Sequence, residues 1–236
     1  MRSKLLARLA ALTLVVAAMA MLSVRHSLHS LSVRVTGKKT VDDRLREFGD
    51  AKARVEQHFA RAGVAFPPAR VVLLGLKQEK RLVVYAAAAD GPMRFITDYP
   101  IVAASGKSGP KLREGDRQVP EGVYRVESLN PNSRYHVALR VGYPNEFDRA
   151  MAHRDRRTNL GGDIMIHGSN GSVGCLAMGD PASEELFVLA AKTGIERVRI
   201  ILAPLDLRRA DPPRLDEVAW QADLYEAIHE AMRDLE

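Results

Sequence analysis

Apolar residues change their spacing several times along this chain, and each change predicts a new element. Leu9 to Leu22 is almost wholly apolar, with Thr13 as the one polar interruption. Residues 25–40 are polar and carry no strong period. Val41, Leu45, Phe48, Val55, Phe59 and Ala62 then recur at three-, four- and seven-residue steps. That spacing predicts an amphipathic helix over 41–63, stopped by Gly63, and Pro67-Pro68 bars its continuation. Past the prolines the pattern becomes that of strands. The Val- and Leu-rich runs Arg70–Leu76 and Arg81–Ala88, parted by polar Lys77–Lys80, predict a hairpin. Phe95–Ala104 is a third strand candidate, with Pro100 marking an edge or a bend. Ser105–Pro120 reads as a loop. Gly122–Ser128 and Tyr135–Val141 read as strands joined by a turn at Asn130-Pro131-Asn132. Tyr143–Gly162 has no clear period and reads as a long loop, of the kind that tends to carry function. Ile164–Ile166 is a short strand ending at His167. Pro181 opens a helix to about Lys192 with Gly194 as its stop. Arg197–Ala203 is a last strand, and Leu215–Leu235 a C-terminal helix.

Strands and helices do not alternate regularly, which argues against a doubly wound parallel sheet. The order predicts an α+β protein: a mainly β core, a mixed sheet built as a sandwich or barrel, flanked by N- and C-terminal helices. Val71, Leu73, Val83, Val198 and Ile200 are core positions by pattern. The expected organisation is a leader at 1–24, a linker and helix at 25–66, the main domain at 67–208, and a C-terminal helix at 209–236 packed on it. The length of 236 residues suits one large domain with such appendages.

Composition sharpens the picture at the N-terminus. Arg2, Lys4 and Arg8 precede the apolar run, and Ala18-Met19-Ala20 has the small-x-small form of a cleavage site. Residues 1–24 therefore read as a signal peptide or an uncleaved signal anchor; the run is short against the ~20 residues of a membrane span. This predicts export to the periplasm or cell envelope, with inner-membrane anchoring if the segment stays. Loss of those three basic residues would lower the net charge from +6 to +3. Neither value suggests the clustered basic face of a nucleic-acid binder. At 46% apolar and 27% charged the chain is also unlike a disordered one.

Chemistry concentrates around the only cysteine. Cys175 lies in Ile166-His167-Gly168-Ser169-Asn170-Gly171-Ser172-Val173-Gly174-Cys175-Leu176-Ala177-Met178. A lone cysteine is usually a small buried hydrophobe, but an unpaired thiol in an exported chain also suggests reactivity. The glycines allow a return that brings the His167 ring to the sulfur. A thiol next to an imidazole suits acyl transfer through a thioester, with His167 as acid and base. Backbone N–H groups around Gly174 and Cys175, supported by Ser172, would form the oxyanion site. Ser169 or a loop carbonyl such as that of Gly168 would orient His167. Structural zinc needs four ligands, which Cys175 and His167 reach only by recruiting Asp163 and Asp180, so no metal and no cofactor is expected. Tyr143, Asn145 and Tyr124 are candidate substrate contacts. His136 and His153 lie nearby in sequence, and Arg154–Arg157 is either a carboxylate-attracting cluster or a solvated loop.

Several stretches together resemble the L,D-transpeptidase (YkuD-type) catalytic domain, most closely its YafK-like branch. They are Ala104-Ser105-Gly106-Lys107, Gly109-Pro110-Lys111, Gly115-Asp116, Pro120-Glu121-Gly122-Val123-Tyr124, Tyr143-Pro144-Asn145, Asp163-Ile164-Met165-Ile166-His167-Gly168 and Ser172-Val173-Gly174-Cys175. The resemblance covers about residues 70–205. It implies a mixed β core and action on peptidoglycan stem peptides, Cys175 attacking the diaminopimelate carbonyl and expelling D-alanine. The acyl group would pass to an amine, giving a crosslink or an envelope-lipoprotein attachment, or to water. Most members of the family have histidine where Val173 stands and arginine where Ala177 stands, a residue associated with substrate holding. The expected activity is thus transpeptidation. The alternatives are hydrolysis at the same site, as carboxypeptidase or in lipoprotein release, and a catalytically inactive peptidoglycan-binding module.

Overall fold

The structure, a computed structural model, describes residues 37–215 and 217–235. The leader expected at 1–24 lies outside the described residues. Among the described residues, no helix is long and apolar enough to cross a membrane. The compact unit beginning at Val41 opens with α1 (Val41–Glu47) and α2 (Gly49–Ala62). The single helix expected at 41–63 is therefore broken. Phe48, at φ −91° and ψ 41°, leaves the helical region and packs at 5.6 Å from the His136 ring. Gly63 ends α2 in the left-handed conformation that glycine adopts most readily.

The strands are β1 (Arg70–Leu76), β2 (Arg81–Ala87), β3 (Arg94–Pro100), β4 (Ala103–Ala104), β5 (Gly122–Ser133), β6 (His136–Val141), β7 (Met165–His167), β8 (Leu176–Ala177) and β9 (Val198–Ala203). Among the described residues they make one nine-stranded sheet, ordered β3-β2-β1-β9-β5-β6-β7-β8-β4. The β1–β9 and β7–β8 pairs are parallel and the rest antiparallel. The mixed sheet is thus as expected, but it is not a closed barrel, because β3 and β4 form its two edges without pairing. Pro100 bends the expected strand 95–104 into two pieces that sit at opposite ends of the strand order.

β1 is buried on both faces beyond Arg70. One face, with Val71 and Leu73, joins α2 and α4 (Asp180–Thr193) through Val55, Phe59, Leu186 and Phe187. The other, with Val72, Leu74 and Leu76, packs against α5 (Gln221–Met232) through Leu224, Tyr225 and Ile228. A strand covered on both sides needs a continuous apolar run, and Val71-Val72-Leu73-Leu74 supplies it. Lys77 at the end of β1 is also buried. Its Nζ donates to Gly109 O (2.9 Å), Val119 O (3.0 Å) and Glu121 Oε1 (2.9 Å). The fully buried Glu121 carboxylate accepts further bonds from Gly109 N and Tyr225 OH. This cluster ties the 105–120 loop and α5 to the sheet.

Three further expectations are corrected. Asn130-Pro131-Asn132 is not the turn: β5 continues through it with a register shift, held by an Arg44 Nε bond to Pro131 O, and the chain turns at Arg134–Tyr135. The long loop 143–162 contains α3 (Glu146–Arg154), started by an Asn145–Asp148 capping box. The C-terminal helix begins at Gln221 rather than Leu215.

Candidate active site

β7 and β8 place the two expected catalytic residues. They run parallel, with Ile166 opposite Leu176 and His167 opposite Ala177. Cys175 lies in the bend that leads into β8, and the Met165 backbone bonds its thiol. Side chains two residues apart on a strand share a face, and so do register partners. His167 and Ala177 therefore share a face, and Cys175 stands two residues before Ala177. Parallel strands usually need a crossover of a dozen residues or more, whereas only residues 168–175 connect these two. The return depends on left-handed backbone at Ser169 (φ 63°) and Gly174 (φ 85°).

The turn after His167 is clamped by the start of α4. Ser169 N donates to Asp180 Oδ1 at 2.7 Å, Gly179 N to Ser169 O at 2.9 Å, and Met178 N to His167 O at 2.8 Å. Gly168 must stay glycine there: a Cβ would stand 2.8 Å from Asp180 Oδ1 and from Ser183 Oγ, and 2.9 Å from His136 Cβ. Of the two groups expected to orient His167, the structure uses the Gly168 carbonyl, 2.5 Å from Nδ1. A carbonyl only accepts, so Nδ1 carries the proton and Nε2 the lone pair. Ser169 acts on the turn instead. The His167 ring also stacks on Tyr135, with centroids 4.6 Å apart and planes at 27°. Tyr135 went unnoticed in the sequence because nothing in its spacing links it to His167.

Around the thiol, Cys175 Sγ lies 3.6 Å from Asp163 O, a weak bond. The backbone N–H groups expected to make the oxyanion site are both engaged by hydroxyls. Gly174 N donates to Ser105 Oγ at 2.6 Å, and Cys175 N to Ser172 Oγ at 3.1 Å. Ser105 in turn donates to Arg117 O, and Ser172 to Cys175 O. An oxyanion at this point would replace those hydroxyls. Ser172 and Ser105 thus each hold one backbone N–H beside the thiol. Val173, where most members of the resembling family carry histidine, is 71% exposed.

Burial keeps both reactive groups neutral at rest. It pushes the Cys175 thiol above the ordinary range; a backbone bond at Met165 and the Lys111 charge pull the other way, and the Asp163 carboxylate adds to the rise. Burial likewise holds His167 below the ordinary imidazole value, against the Gly168 carbonyl.

The candidate substrate contacts sit together, but as a structural node. Tyr124 is buried, and its hydroxyl donates to Glu121 O at 3.0 Å and lies 3.5 Å from Asp148 Oδ1. Tyr143 is buried and donates to Leu160 O at 3.2 Å. Asn145 caps α3 by accepting from Asp148 N and donates its side-chain amide to Val123 O. Burial raises the Asp148 carboxyl to about 6, against the bonds from Asn145 N and Tyr124 OH that favour its charge. His136 pairs with Glu184 at 2.8 Å, and His153 and Arg154 are exposed on α3. Arg157 is a tie, donating to Leu112 O and lying over the Trp220 ring. Among the described residues no three His, Cys, Asp or Glu side chains stand together to hold a metal.

Comparison with known proteins adds to this geometry. The family model for the L,D-transpeptidase catalytic domain (YkuD) matches residues 70–200. The protein named "Putative L,D-transpeptidase YafK" of Escherichia coli strain K12 is 34% identical over 143 residues, covering 58% of this chain and 55% of that protein. The chain thus spans about half the length of the curated relatives it matches. Among solved structures, the helical cell shape determining protein Pgp2 of Campylobacter jejuni superposes with a TM-score of 0.49 at 23% identity, over 74% of this chain and 58% of that one. Bd1075 of Bdellovibrio bacteriovorus gives 0.42 at 19%, over 72% and 56%.

Proposed function

The chain belongs to the L,D-transpeptidase catalytic domain family, and from that premise we propose a cysteine acyl-transfer enzyme that acts on peptidoglycan stem peptides in the cell envelope. The observation that supports this reading is the short return from β7 to β8, which sets His167, its Nδ1 on the Gly168 carbonyl, opposite Ala177, two residues after Cys175. Cys175 Sγ attacks the diaminopimelate carbonyl while His167 Nε2 takes the thiol proton. The tetrahedral intermediate collapses, the C–N bond breaks, and His167 returns the proton to the amine of the departing D-alanine. The acceptor amine then attacks the thioester, the C–S bond breaks, and His167 passes the acceptor's proton to the departing sulfur. Because both groups rest neutral, burial favours proton transfer in step with attack over a standing thiolate. Export through residues 1–24 would bring the chain to this substrate.

The test incubates the full-length chain with tetrapeptide muropeptides, with and without an amine acceptor, and follows products by mass spectrometry. Dimers, with a thioester trapped on Cys175, are the expected result. Tripeptide alone would replace transfer by hydrolysis at the same thioester. Binding without turnover, or full activity in a Cys175→Ser variant, would overturn the enzyme reading.

A further inference from the structure

Two cations are linked to the surroundings of the thiol, Lys111 through its charge and Arg140 through Asp163. Lys111, whose charge favours the Cys175 thiolate, has a side chain only 5% exposed. Its Nζ is committed to Asp116 Oδ1 at 2.6 Å and Arg113 O at 2.9 Å. Arg140 on β6 is different. The β6–β7 register sets Arg140 opposite Met165, and the Met165 backbone bonds the Cys175 thiol. Arg140 is thus one interstrand spacing, ~4.8 Å, from the residue whose backbone bonds the thiol. The Arg140 side chain is 39% exposed, and it already binds carboxylates. Nε holds Glu127 Oε2 at 2.9 Å and a terminal nitrogen holds Asp163 Oδ1 at 3.0 Å, both acids being more than half exposed.

Asp163 links this guanidinium to the reacting sulfur. Its backbone carbonyl is the group 3.6 Å from Cys175 Sγ, while its side chain sits on Arg140. The residue has a left-handed backbone, φ 54°, which an aspartate adopts less readily than glycine. The Asp163 carboxylate therefore reaches Arg140 from a backbone already against the thiol. A substrate carboxylate a few bonds from an acyl carbon at Cys175 would span the same gap.

We infer that Arg140 is a carboxylate-recognition residue for the acyl substrate and that Asp163 occupies its place in the free protein. The ligand class is an acyl group with a carboxylate a few bonds from the reacting carbonyl, the pattern of a peptide ending in a free amino acid. Its substrate side rests on the acyl-transfer reading above; the anion site rests on geometry alone. Exchange of Asp163 for the substrate carboxylate keeps the guanidinium paired throughout, so the exposed arginine is never stripped of an anion. Its fork geometry suits a carboxylate better than a lysine would.

The experiment alkylates Cys175 in the full-length chain with two probes of one chemistry, anionic iodoacetate and neutral iodoacetamide. Their rate ratio cancels any change in the thiol itself. In wild type that ratio should exceed the ratio in Arg140→Gln by about tenfold, the scale of one hydrogen bond to a charged group. Arg140→Lys should keep part of the effect. Asp163→Asn, which empties the place, should raise the ratio above wild type. Equal ratios in wild type and Arg140→Gln overturn the inference. If Arg140→Gln does not fold, an unchanged ratio in Asp163→Asn overturns it. Peptidoglycan takes no part in these ratios. A chain inert on muropeptides whose ratio still depends on Arg140 therefore defeats the acyl-transfer reading while supporting the anion site.

Discussion

The Lys77–Glu121 cluster and the Cys175–His167 site are both polar groups set into an apolar fold, and they use their hydrogen-bonding capacity in opposite ways. Lys77 has three N–H donors and places all three, and Glu121 accepts from Lys77, Gly109 and Tyr225. Such an arrangement has nothing left to offer a ligand. At the site, the bonds of the described residues engage only Nδ1 of the His167 ring, and Sγ meets only backbone, at Asp163 and Met165. Saturation marks a structural cluster and unspent capacity marks chemistry. By that measure the Tyr124–Tyr143–Asn145–Asp148 node belongs with Lys77: its polar atoms hold α3 and the 105–120 loop, and none stands open.

The comparison breaks or sharpens under five substitutions. Cys175→Ser should lower any acyl transfer by at least about a thousandfold and change stability by less than about 1 kcal/mol; product formation and a denaturant melt check both. Lys77→Met should do the reverse, costing about 3–5 kcal/mol because Glu121 is left buried without its cation, as read by the shift in denaturant midpoint. If Lys77→Met melts like wild type, the cluster is not the structural member of the pair.

Asp148 tests the node through pH. Its folded value of about 6 lies above the unfolded one, so its contribution is fully present below about pH 4 and is lost as pH rises through 6. The stability difference between wild type and Asp148→Asn should therefore move against wild type by about 2–3 kcal/mol over that window, at about 1.36 kcal/mol per pKa unit. A flat difference curve would mean that the two bonds to Asp148 outweigh its burial. Asn145→Ala should cost about 1 kcal/mol through loss of the α3 cap and leave thioester formation on Cys175 unchanged. Tyr135→Ala, the smallest effect, should let water reach His167 and raise its imidazole toward the ordinary value of about 6.5, seen by NMR titration of the ring. An unmoved titration would leave burial of His167 to other neighbours.

Much of the fold is legible in the spacing of apolar residues, because β1, β2, β9 and α4 are long enough for their period to show. Cys175, His167 and the Gly168 carbonyl are legible too, since one short stretch carries them. The rest fails for physical reasons. α3 is hidden because its polar sequence Glu146-Phe147-Asp148-Arg149 has little apolar face, although Asn145 and Asp148 were a readable cap. β7 and β8 have three and two residues, too few to show a period. Tyr135, Ser105 and Arg140 reach the site through sheet register and loop closure, which no local pattern records. Tyr143 and Asn145 were noticed for their residue types, and their burial changed what those types mean.

The strand order hides a seam. β3 and β4 are the two ends of the sheet, yet only Ile101 and Val102 separate them. Ile101 N donates to Lys80 O at the end of β2, and Val102 N to Ala177 O in β8. Consecutive peptide groups thus bind to opposite margins of one sheet, so the margins are drawn together by the covalent chain, not by strand pairing. Open sheet edges invite pairing with other chains, and a two-residue strap leaves little room for a foreign strand between them. The edge that borders the nucleophile is thereby narrowed by two residues of its own chain.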